Sequence, residues 1–537
     1  LSSDKQAETG AYYTPRHLAT FAIHQALLAS PDPLNETIFD GACGSGILLT
    51  TAYRRLIALH EAKAGRQMGF AERRQILLGQ IFGGDINRMA CRVTSFSLYL
   101  SLMEGLHPAD ILVAQSRDGV KLPTLRGTNL CDGPSGDFFA EDHPFFGSKF
   151  SLIVSNPAWV EIKGPKTSAD LWAEDAEVDV PLRQLAGFYS LRAVEFLAEH
   201  GSLCLILPIA LLMGTGSDRF LRHLFRGIKP LRLFNFGDLQ QLLFPTADDA
   251  CHVFVGQRRA RHEVGRIPLT ESFDYCIPKA ELSLRFGRLS ITSADRHMLQ
   301  TQTVRTSPDV LTTYMWGDAH DLALMTRLQA CGTFKDFWGQ GRKSRWINRK
   351  GIHFEDKNRE AMSSEPLSSF SFVPLDALKR GLPVLHPEKL GKWPADRQTV
   401  VGLNDALMQV FDGPRILFPD GFSRDELNIR AVYFDQPASF NSSVGVIAGS
   451  ESDAGLLRFA AAYLRSTLAK YFLMLTNTKM LTNRNGVHLT HIEPFPFFEP
   501  QHAPNPKTAS SALKKIVTKL IALEKMPADD QQMAYAD

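Results

Sequence analysis

The segment Asn156-Pro157-Ala158-Trp159 places an amide, a proline and a flat aromatic ring directly after residues 150–155, which are mostly apolar. The apolar run is typical of a buried strand, and Pro157 ends it because proline lacks the N–H that sheet pairing needs. Open α/β sheets bind their ligands at the carboxyl ends of strands. An amide beside an aromatic ring at such an end suits a flat base that carries an exocyclic amine.

A second segment, Asp40-Gly41-Ala42-Cys43-Gly44-Ser45-Gly46, follows a short apolar strand and precedes a helical pattern. Glycines permit a tight turn and a close approach to a ligand, and the helix N-terminus favours a carboxylate or phosphate. The segment lacks the Gly-Lys-Ser/Thr of a P-loop and the G-x-G-x-x-G spacing of a dinucleotide site. Asp85, an acid at the end of the next predicted strand, suits a pair of ribose hydroxyls.

The elements that must position these residues alternate between strand and helix. Apolar runs predict strands at 37–40, 81–85, 152–155, 202–208, 231–236 and 252–256, and helical periodicity predicts helices that include 88–102 and 186–199. Repeated β-α-β alternation predicts an α/β fold with a doubly wound, mainly parallel sheet.

The composition changes near residues 258–261, where the regular alternation of strand and helix ends. We therefore predict a sheet domain over residues 1–260 and a second domain of α+β character over residues 261–500. Residues 501–537 are predicted to form a linker and a C-terminal amphipathic helix at 511–526.

Bulk composition narrows the class of protein. The net charge is +2, so any nucleic acid must be held by local basic clusters. The seven cysteines form no CxxC pair, which argues against a zinc site and fits a reducing cytoplasm. No run reaches the ~18 apolar residues that cross a bilayer, and the polar first residues lack a signal-peptide pattern. We expect a cytoplasmic protein with no membrane contact and no metal.

Four segments in this order resemble the motifs of the γ-class N6-adenine DNA methyltransferases. They are Gly10 to Pro15, Asp40 to Gly46, Gly84 to Asn87, and Asn156 to Trp159. The resemblance covers most of residues 8–260. Within that family, the chain is similar in particular to the methyltransferases of type IIG restriction–modification enzymes and of BREX and DISARM phage-defence systems. It implies a Rossmann-like methyltransferase sheet followed by a target-recognition domain.

The resemblance implies S-adenosylmethionine as the cofactor. The residues that match its methionine-binding motifs are Tyr13, Thr14, Pro15, Asp40, Ala42, Gly44 and Gly46. Asp85 matches the ribose-binding acid, and Ile86 matches the apolar contact to the cofactor's adenine. We assign a further polar contact to Asn129, with Asp137-Phe138-Phe139 as the rival segment.

Asn156 and Pro157 are the candidate catalytic residues. The N6 lone pair of adenine is delocalised into the ring, so two hydrogen-bond acceptors are needed to stabilise the positive charge that develops on nitrogen. The base must leave the duplex to react. Trp159 would then stack on one face of it and Phe244 on the other. Ala158 stands where the family usually has a second proline, a departure that affects the rate more than the type of reaction.

Two polar, basic segments of the second domain contain candidate contacts to DNA, because basic side chains can neutralise phosphates and amides or arginines can read base edges. They are Arg342, Lys343, Arg345, Trp346, Arg349 and Lys350, together with Asn483 and Arg484 in a later polar loop. Glu355-Asp356-Lys357 contains the E-x-K of some nucleases, but no partner acid can be assigned to it. We interpret that segment as a solvated turn.

The sequence therefore predicts a site-specific adenine-N6 methyltransferase that acts on double-stranded DNA by base flipping, in restriction–modification or phage defence, where other defence-system subunits could be partners. Two alternatives stay open. One is a catalytically weak, methyltransferase-like DNA-binding subunit of a defence complex, of which Ala158 would be the sign. The other is a protein-glutamine methyltransferase, which shares the Asn-Pro-x-aromatic segment but needs no large second domain.

Overall fold

The computed structural model describes residues 13–116, 119–214, 216–245, 249–286, 288–338, 344–354, 360–379, 383–420, 429–477 and 489–527. The chain divides into two compact units, Leu1–Leu311 and Thr312–Asp537. Within the described residues, no helix is both long and apolar enough to span a membrane.

The first unit alternates strands and helices along most of its length. Its strands are β1 (Ile38–Asp40), β2 (Ile81–Asp85), β3 (Leu130–Asp132), β4 (Phe150–Ser155), β5 (Leu197–Pro208), β6 (Ile228–Asn235), β7 (Cys251–Arg258), β8 (Ser272–Cys276) and β9 (Arg296–Gln300). Its helices are α1 (Arg16–Leu28), α2 (Ile47–Ala64), α3 (Phe70–Gln80), α4 (Arg88–Met103), α5 (Pro108–Ser116), α6 (Ser168–Asp175), α7 (Leu185–Phe196), α8 (Ile209–Met213), α9 (Ser217–Gly227), α10 (Gln240–Leu243) and α11 (Thr301–Thr306).

The nine strands form one sheet in the order β3-β2-β1-β4-β5-β7-β6-β8-β9. The neighbours from β3 to β5 pair in parallel, β7 is antiparallel to both β5 and β6, β8 is parallel to β6, and β9 is antiparallel to β8. All strands except β7 and β9 therefore run in one direction, which confirms the predicted mainly parallel sheet. Because β1 lies between β2 and β4, the carboxyl ends of these three strands lie side by side.

Adjacent residues of β1 enter different layers, since side chains alternate across a strand. Ile38 joins the apolar core that contains residues of α1, α2 and α4. Phe39 points the other way and stacks on Phe150 and Phe196 at ring-centroid distances of 4.6 and 5.7 Å. Phe196 is the last residue of α7, so helices cover both faces of the sheet and the doubly wound prediction is confirmed.

The first unit continues past residue 260, where the sequence predicts its end, because β8 and β9 extend the sheet. Arg259 lies at this point and donates through its two terminal nitrogens to Glu271 at 2.8 and 2.6 Å. Its Nε also donates to the carbonyl oxygen of Phe225 at 3.0 Å. Both charged side chains are buried. The pair ties the end of β7 to the start of β8, so Arg259 belongs to the interior of this unit.

The second unit has shorter and less regular elements. Its strands are β10 (Ile347–Lys350), β11 (Ala361–Ser363), β12 (Ser371–Phe372), β13 (Thr399–Val401), β14 (Arg415–Pro419), β15 (Val432–Phe434), β16 (Ala438–Ser439) and β17 (Val444–Ala448). Its helices are α12 (Asp309–Trp316, which begins in the first unit), α13 (Ala319–Gln329), α14 (Leu375–Lys379), α15 (Asp405–Met408), α16 (Ala454–Arg465), α17 (Thr467–Thr476), α18 (Leu489–Ile492) and α19 (Pro506–Glu524).

A four-stranded antiparallel sheet, β10-β17-β14-β15, forms the centre of this unit, with helices packed against it as expected for α+β character. The C-terminal helix α19 packs on α16 through buried Leu523 and through Glu524, which accepts from Arg458 at 2.8 Å. This helix therefore lies within the second unit, although the sequence suggested a separate terminal segment.

We expect Glu271→Ala to destabilise the first unit by about 3–5 kcal/mol, because it leaves the buried Arg259 guanidinium without its counter-charge. The matched control is Asp274→Ala, which removes an ion pair to Arg296, a side chain that is 53% exposed. That loss should cost less than about 1 kcal/mol. Hydrogen exchange of the β7 and β8 amides measures both effects. Equal protection in the two variants would contradict the prediction.

Candidate functional site

Three polar side chains meet at the carboxyl edge of the sheet. Asp40, Asp85 and Ser155 are the last residues of β1, β2 and β4, which are neighbouring parallel strands. Since parallel strands end at the same edge, each strand delivers its terminal residue to one place. The two segments with candidate chemistry, the glycine-rich turn (residues 40–46) and the Asn-Pro turn (residues 156–159), both start there.

Asp40 is almost completely buried, with 1% of its surface exposed. Its Oδ1 accepts from the Ser155 hydroxyl at 2.7 Å and from the backbone N–H of Ala42 at 3.1 Å. Burial raises the pKa of Asp40 to about 7, although both hydrogen bonds act in the opposite direction. One carboxyl oxygen thus connects the glycine-rich turn to the residue before Asn156.

Two glycines fix the shape of the glycine-rich turn. Gly44 and Gly46 have φ angles of +53° and +80°, which L side chains rarely adopt. A Cβ on Gly46 would lie 2.6 Å from Cγ2 of Thr94, whose hydroxyl donates to the carbonyl oxygen of Gly44 at 2.9 Å. The N–H of Gly44 in turn donates to Asp85 Oδ2 at 2.9 Å. The turn is therefore held against the end of β2 as well as that of β4.

Tyr189 and Phe138 support the same turn, a role that no local sequence pattern indicates. The backbone N–H of Gly41 donates to the Tyr189 hydroxyl at 2.9 Å, and that hydroxyl is also hydrogen-bonded to Ser155. Phe138 stacks on Tyr189 with ring centroids 4.3 Å apart. A Cβ on Gly41 would lie 2.6 Å from the Phe138 ring, so only glycine fits. Tyr189 lies in the middle of helix α7, far from the turn in sequence, and no local pattern could have identified it.

Asp85 is partly buried, whereas the next residue, Ile86, is exposed. The carboxylate of Asp85 accepts from the N–H groups of Asn87, at 2.7 Å, and Gly44, and burial raises its pKa. Ile86 is 66% exposed despite its apolar side chain. An exposed isoleucine next to a partly buried acid offers an apolar surface beside two hydrogen-bond acceptors. This suits a base and its attached ribose.

The segment before α1 reaches the Asn-Pro turn. The amide Nδ2 of Asn156 donates to the hydroxyl of Thr14 at 3.0 Å, and Pro15 is the residue that precedes helix α1. Tyr13 is 59% exposed. The structure therefore brings Thr14 and Asn156 together across 142 residues of sequence. Pro157 is buried, and Ala158 is partly buried.

Trp159 and Phe244 contact each other, with ring centroids 5.0 Å apart and planes inclined by 60°. Phe244 is 3% exposed, and the Trp159 indole N–H donates to the carbonyl oxygen of Ile206 at 3.4 Å. A base held between two rings would need about 7–8 Å between them, twice the usual carbon–carbon contact distance. In this arrangement Phe244 packs behind Trp159.

Asn129 lies outside this cluster. It is 4% exposed, and its Nδ2 donates to the carbonyl oxygens of Leu78 and Ile81 at 2.9 Å each. It thus connects the end of α3 to the start of β2. The rival segment lies at the site, because a Cβ on Gly136 would be 2.3 Å from the carbonyl oxygen of Asp85. The geometry favours Asp137 over Asn129 as the residue beside Asp85.

In the second unit, the basic cluster is largely paired within the protein. Arg345 forms ion pairs with Asp453 at 2.6 Å and Glu499 at 2.5 Å, and Lys350 pairs with Asp420 at 2.6 Å. Arg349 donates to the side-chain oxygen of Asn404 at 3.3 Å. Trp346 is fully buried and stacks on Phe337, which makes it a core residue. The remaining candidates, Arg342, Lys343, Asn483 and Arg484, lie outside the described residues.

The fold and the site together define an α/β protein with a ligand site at the carboxyl edge of its sheet. Residues 1–226 match the protein-family model for N-6 DNA Methylase. The type II restriction enzyme and methyltransferase RM.Eco57I of Escherichia coli is 24% identical over 262 residues, which cover 42% of this chain and 26% of that protein. The chain thus spans about a quarter of the length of this relative.

Two solved structures resemble the whole chain in fold. The type IIL restriction-modification enzyme MmeI, solved in complex with DNA, has a TM-score of 0.56 at 13% identity, over 100% of this chain and 76% of that one. The ATP-dependent type ISP restriction-modification enzyme LlaBIII, solved bound to DNA, has a TM-score of 0.55 at 10% identity. That likeness covers 96% of this chain and 39% of LlaBIII.

We expect the pH dependence of stability to change in Asp40→Asn. Asp40 binds its proton more tightly in the folded chain than in the unfolded chain, where its pKa is close to the usual 3.8. Its contribution to the free energy of unfolding is therefore present at low pH. It is lost as the pH rises from about 4 through 7, at roughly 1.4 kcal/mol per pH unit. Asparagine keeps an oxygen that accepts from Ser155 and Ala42 but does not titrate.

Urea unfolding of the wild type and Asp40→Asn between pH 4 and pH 8 measures this difference. The free energy of unfolding of Asp40→Asn should increase relative to that of the wild type as the pH rises. Ser155→Ala serves as a second probe, because the Ser155 hydrogen bond lowers the pKa of Asp40. Removal of this hydrogen bond should raise the pKa of Asp40 further, so the loss of stability with pH should continue to a higher pH than in the wild type. Parallel stability curves for the wild type and Asp40→Asn would refute the assignment.

Proposed function

We propose that this chain transfers a methyl group from S-adenosylmethionine to the N6 amino group of adenine in double-stranded DNA. The observation that carries the proposal is the joining of two turns: the Asn-Pro turn lies beside the glycine-rich turn, linked to it through Ser155 and Asp40. A base amine held at Asn156 would therefore face a cofactor held at residues 40–46. The match of residues 1–226 to the N-6 DNA methylase family model supports adenine as the target.

The residues at the carboxyl edge fit S-adenosylmethionine. The glycine-rich turn has no room for a Cβ at Gly41 or Gly46. The two oxygens of Asp85 can accept from ribose hydroxyls, and the exposed face of Ile86 can cover an adenine ring. Asp137 is proposed as the polar contact to that adenine. The residues proposed to hold the methionine part are Tyr13, Thr14, Pro15, Asp40, Ala42, Gly44 and Gly46.

When bound, S-adenosylmethionine supplies an electrophilic methyl carbon attached to a positively charged sulfur. Asn156 and Pro157 provide the acceptors, a side-chain oxygen and a carbonyl oxygen, for the two hydrogens of adenine N6. Transfer of that methyl carbon to the N6 lone pair would release the sulfur as a neutral thioether. The Asn156 side-chain oxygen and the Pro157 carbonyl oxygen would hold the two hydrogens of the positively charged N6 more strongly, until one proton passes to solvent.

Base flipping is part of this proposal, because the N6 amine cannot meet a methyl donor inside a duplex. Trp159 offers an indole face to the extruded base, and Phe244 supports the indole from behind. A base stacked on both rings would require Phe244 to separate from Trp159. We therefore propose that Trp159 makes the main stacking contact.

We further propose that the second unit carries the target-recognition function and that the protein acts in restriction–modification or phage defence in the cytoplasm. RM.Eco57I is described as both a restriction enzyme and a methyltransferase. MmeI and LlaBIII resemble the whole chain in fold, and both were solved with DNA. Double-stranded DNA is the expected partner, together with other subunits of a defence system.

Asn156→Ala should lower methylation of DNA by about 10²–10³-fold or more, because it removes an acceptor that acts on the developing charge. Binding of S-adenosylmethionine, measured by calorimetry, should persist. Asn156→Asp is the matched variant, since it keeps an acceptor oxygen and the same shape and should retain more activity. Sequencing of modified bases in DNA from cells that express each variant reports the target base and its sequence context. Full activity of Asn156→Ala would reject the mechanism, and cytosine modification would reject the target.

Asp137→Ala should weaken S-adenosylmethionine binding about tenfold, the effect of losing one hydrogen bond to a buried ligand. Asn129→Ala should leave the affinity of the folded protein unchanged, because the Asn129 side chain bonds to the backbone of α3 and β2 and to the hydroxyl of the neighbouring Thr128. It should instead lower the unfolding temperature. Calorimetry and thermal unfolding of both variants separate these roles, and the reverse pattern would restore Asn129 as the cofactor contact.

A further inference from the structure

Helix α19 carries an unusual concentration of positive charge on its exposed side. Four lysines lie within its span and a fifth follows directly, and all are exposed: Lys507, Lys514, Lys515, Lys519 and Lys525. The only acid within the helix is Glu524, which is paired with Arg458. None of the ion pairs found among the described residues involves these lysines. This contrasts with Arg345 and Lys350, whose charges are neutralised within the protein.

Packing determines which side of α19 faces outward. Leu523 is buried, Leu513 packs on the core of the second unit, and a Cβ on Gly455 would contact Val517 at 3.6 Å. These three residues lie on one side of the helix, and that side faces α16. The lysines lie on the remaining faces, and the contact between Arg458 and Glu524 fixes the rotation of the helix about its axis.

The lysines are spaced along the helix axis in two rows. Lys507, Lys514 and Lys525 are separated by two and three full turns, and Lys515 and Lys519 by about one turn. At 1.5 Å per residue the first row extends over about 27 Å. Duplex DNA carries one negative charge per about 1.7 Å of its axis. A cationic ridge of this length matches an extended polyanion better than a single small anion.

We infer that the lysine ridge of α19 binds the sugar–phosphate backbone of duplex DNA. The inference rests on the proposed function, because it assigns a part of the second unit to the DNA that the first unit would methylate. The ridge neutralises phosphates and does not read bases, since lysine side chains on phosphates carry no sequence information. It therefore contributes to affinity for any duplex and positions the protein for recognition by other residues.

The test is a triple variant, Lys514→Gln with Lys515→Gln and Lys519→Gln, with DNA affinity measured against salt concentration. Each lost phosphate contact should reduce the slope of log K against log salt by about 0.9, so the expected reduction is about 2.7. Affinity at about 0.1 M salt should fall about tenfold or more, and equally for duplexes with and without the methylation site. Lysine-to-arginine changes at the same positions should preserve binding.

A charge-matched control replaces three exposed lysines elsewhere by glutamine: Lys63, Lys335 and Lys392. It changes the net charge equally and should reduce the slope much less. Equal effects of the two triple variants, or no effect of either, would overturn the inference while wild-type methylation of DNA kept the proposed function intact. Unchanged DNA affinity with loss of binding to an acidic protein would assign the ridge to a protein partner instead. A wild type that neither binds nor methylates DNA would reject the proposed function itself.

Discussion

The hydrogen bond between Ser155 and Asp40 is the constraint on which the candidate site depends. It joins the last residues of two neighbouring parallel strands, so its geometry follows from the sheet and not from either loop. A buried carboxyl is costly unless its oxygens have partners, and Asp40 has two at one oxygen. Because these partners are Ser155 and Ala42, Asp40 connects the residue before Asn156 to the glycine-rich turn. The sheet therefore sets the separation between the two segments that the proposed reaction must bring together.

The other side of the glycine-rich turn is fixed by an aromatic layer. Tyr189 accepts from the N–H of Gly41, and burial raises the pKa of Tyr189, which keeps its hydroxyl neutral. Phe138 fills the space in which a Cβ at residue 41 would lie. Phe138 also follows Asp137 directly, so the packing that supports the turn brings the Asp137 segment close to the end of β2. One set of contacts thus shapes both proposed ends of the cofactor site, which explains why the aromatic cluster is so dense on this face.

The sequence was sufficient where local patterns carry the information. The ends of β1, β2 and β4 could be predicted because apolar runs stop at an acid or before a proline, and parallel strands must then bring those ends together. It was insufficient where the choice depends on packing between distant segments. Asn129 and Asp137 both follow plausible short motifs, and only the position of Gly136 against Asp85 separates them. Arg259 is a related case. The arginines near residue 259 suggested a domain boundary, but Arg259 pairs with Glu271 in the interior of the first unit.

Charge in a sequence is not the same as charge on a surface, and the second unit illustrates the difference. The cluster around residues 342–350 is the densest basic stretch in that half of the chain. Its Arg345 and Lys350, however, form ion pairs with carboxylates of the protein itself. Such pairs order the fold, and a phosphate could compete for these side chains only by separating Asp453, Glu499 and Asp420 from their basic partners. The lysines of α19 are more dispersed in sequence, and a phosphate could bind them without breaking any ion pair found among the described residues. The proposed electrostatic contact to DNA therefore depends on which cations form no ion pair among the described residues, a property that composition alone cannot reveal.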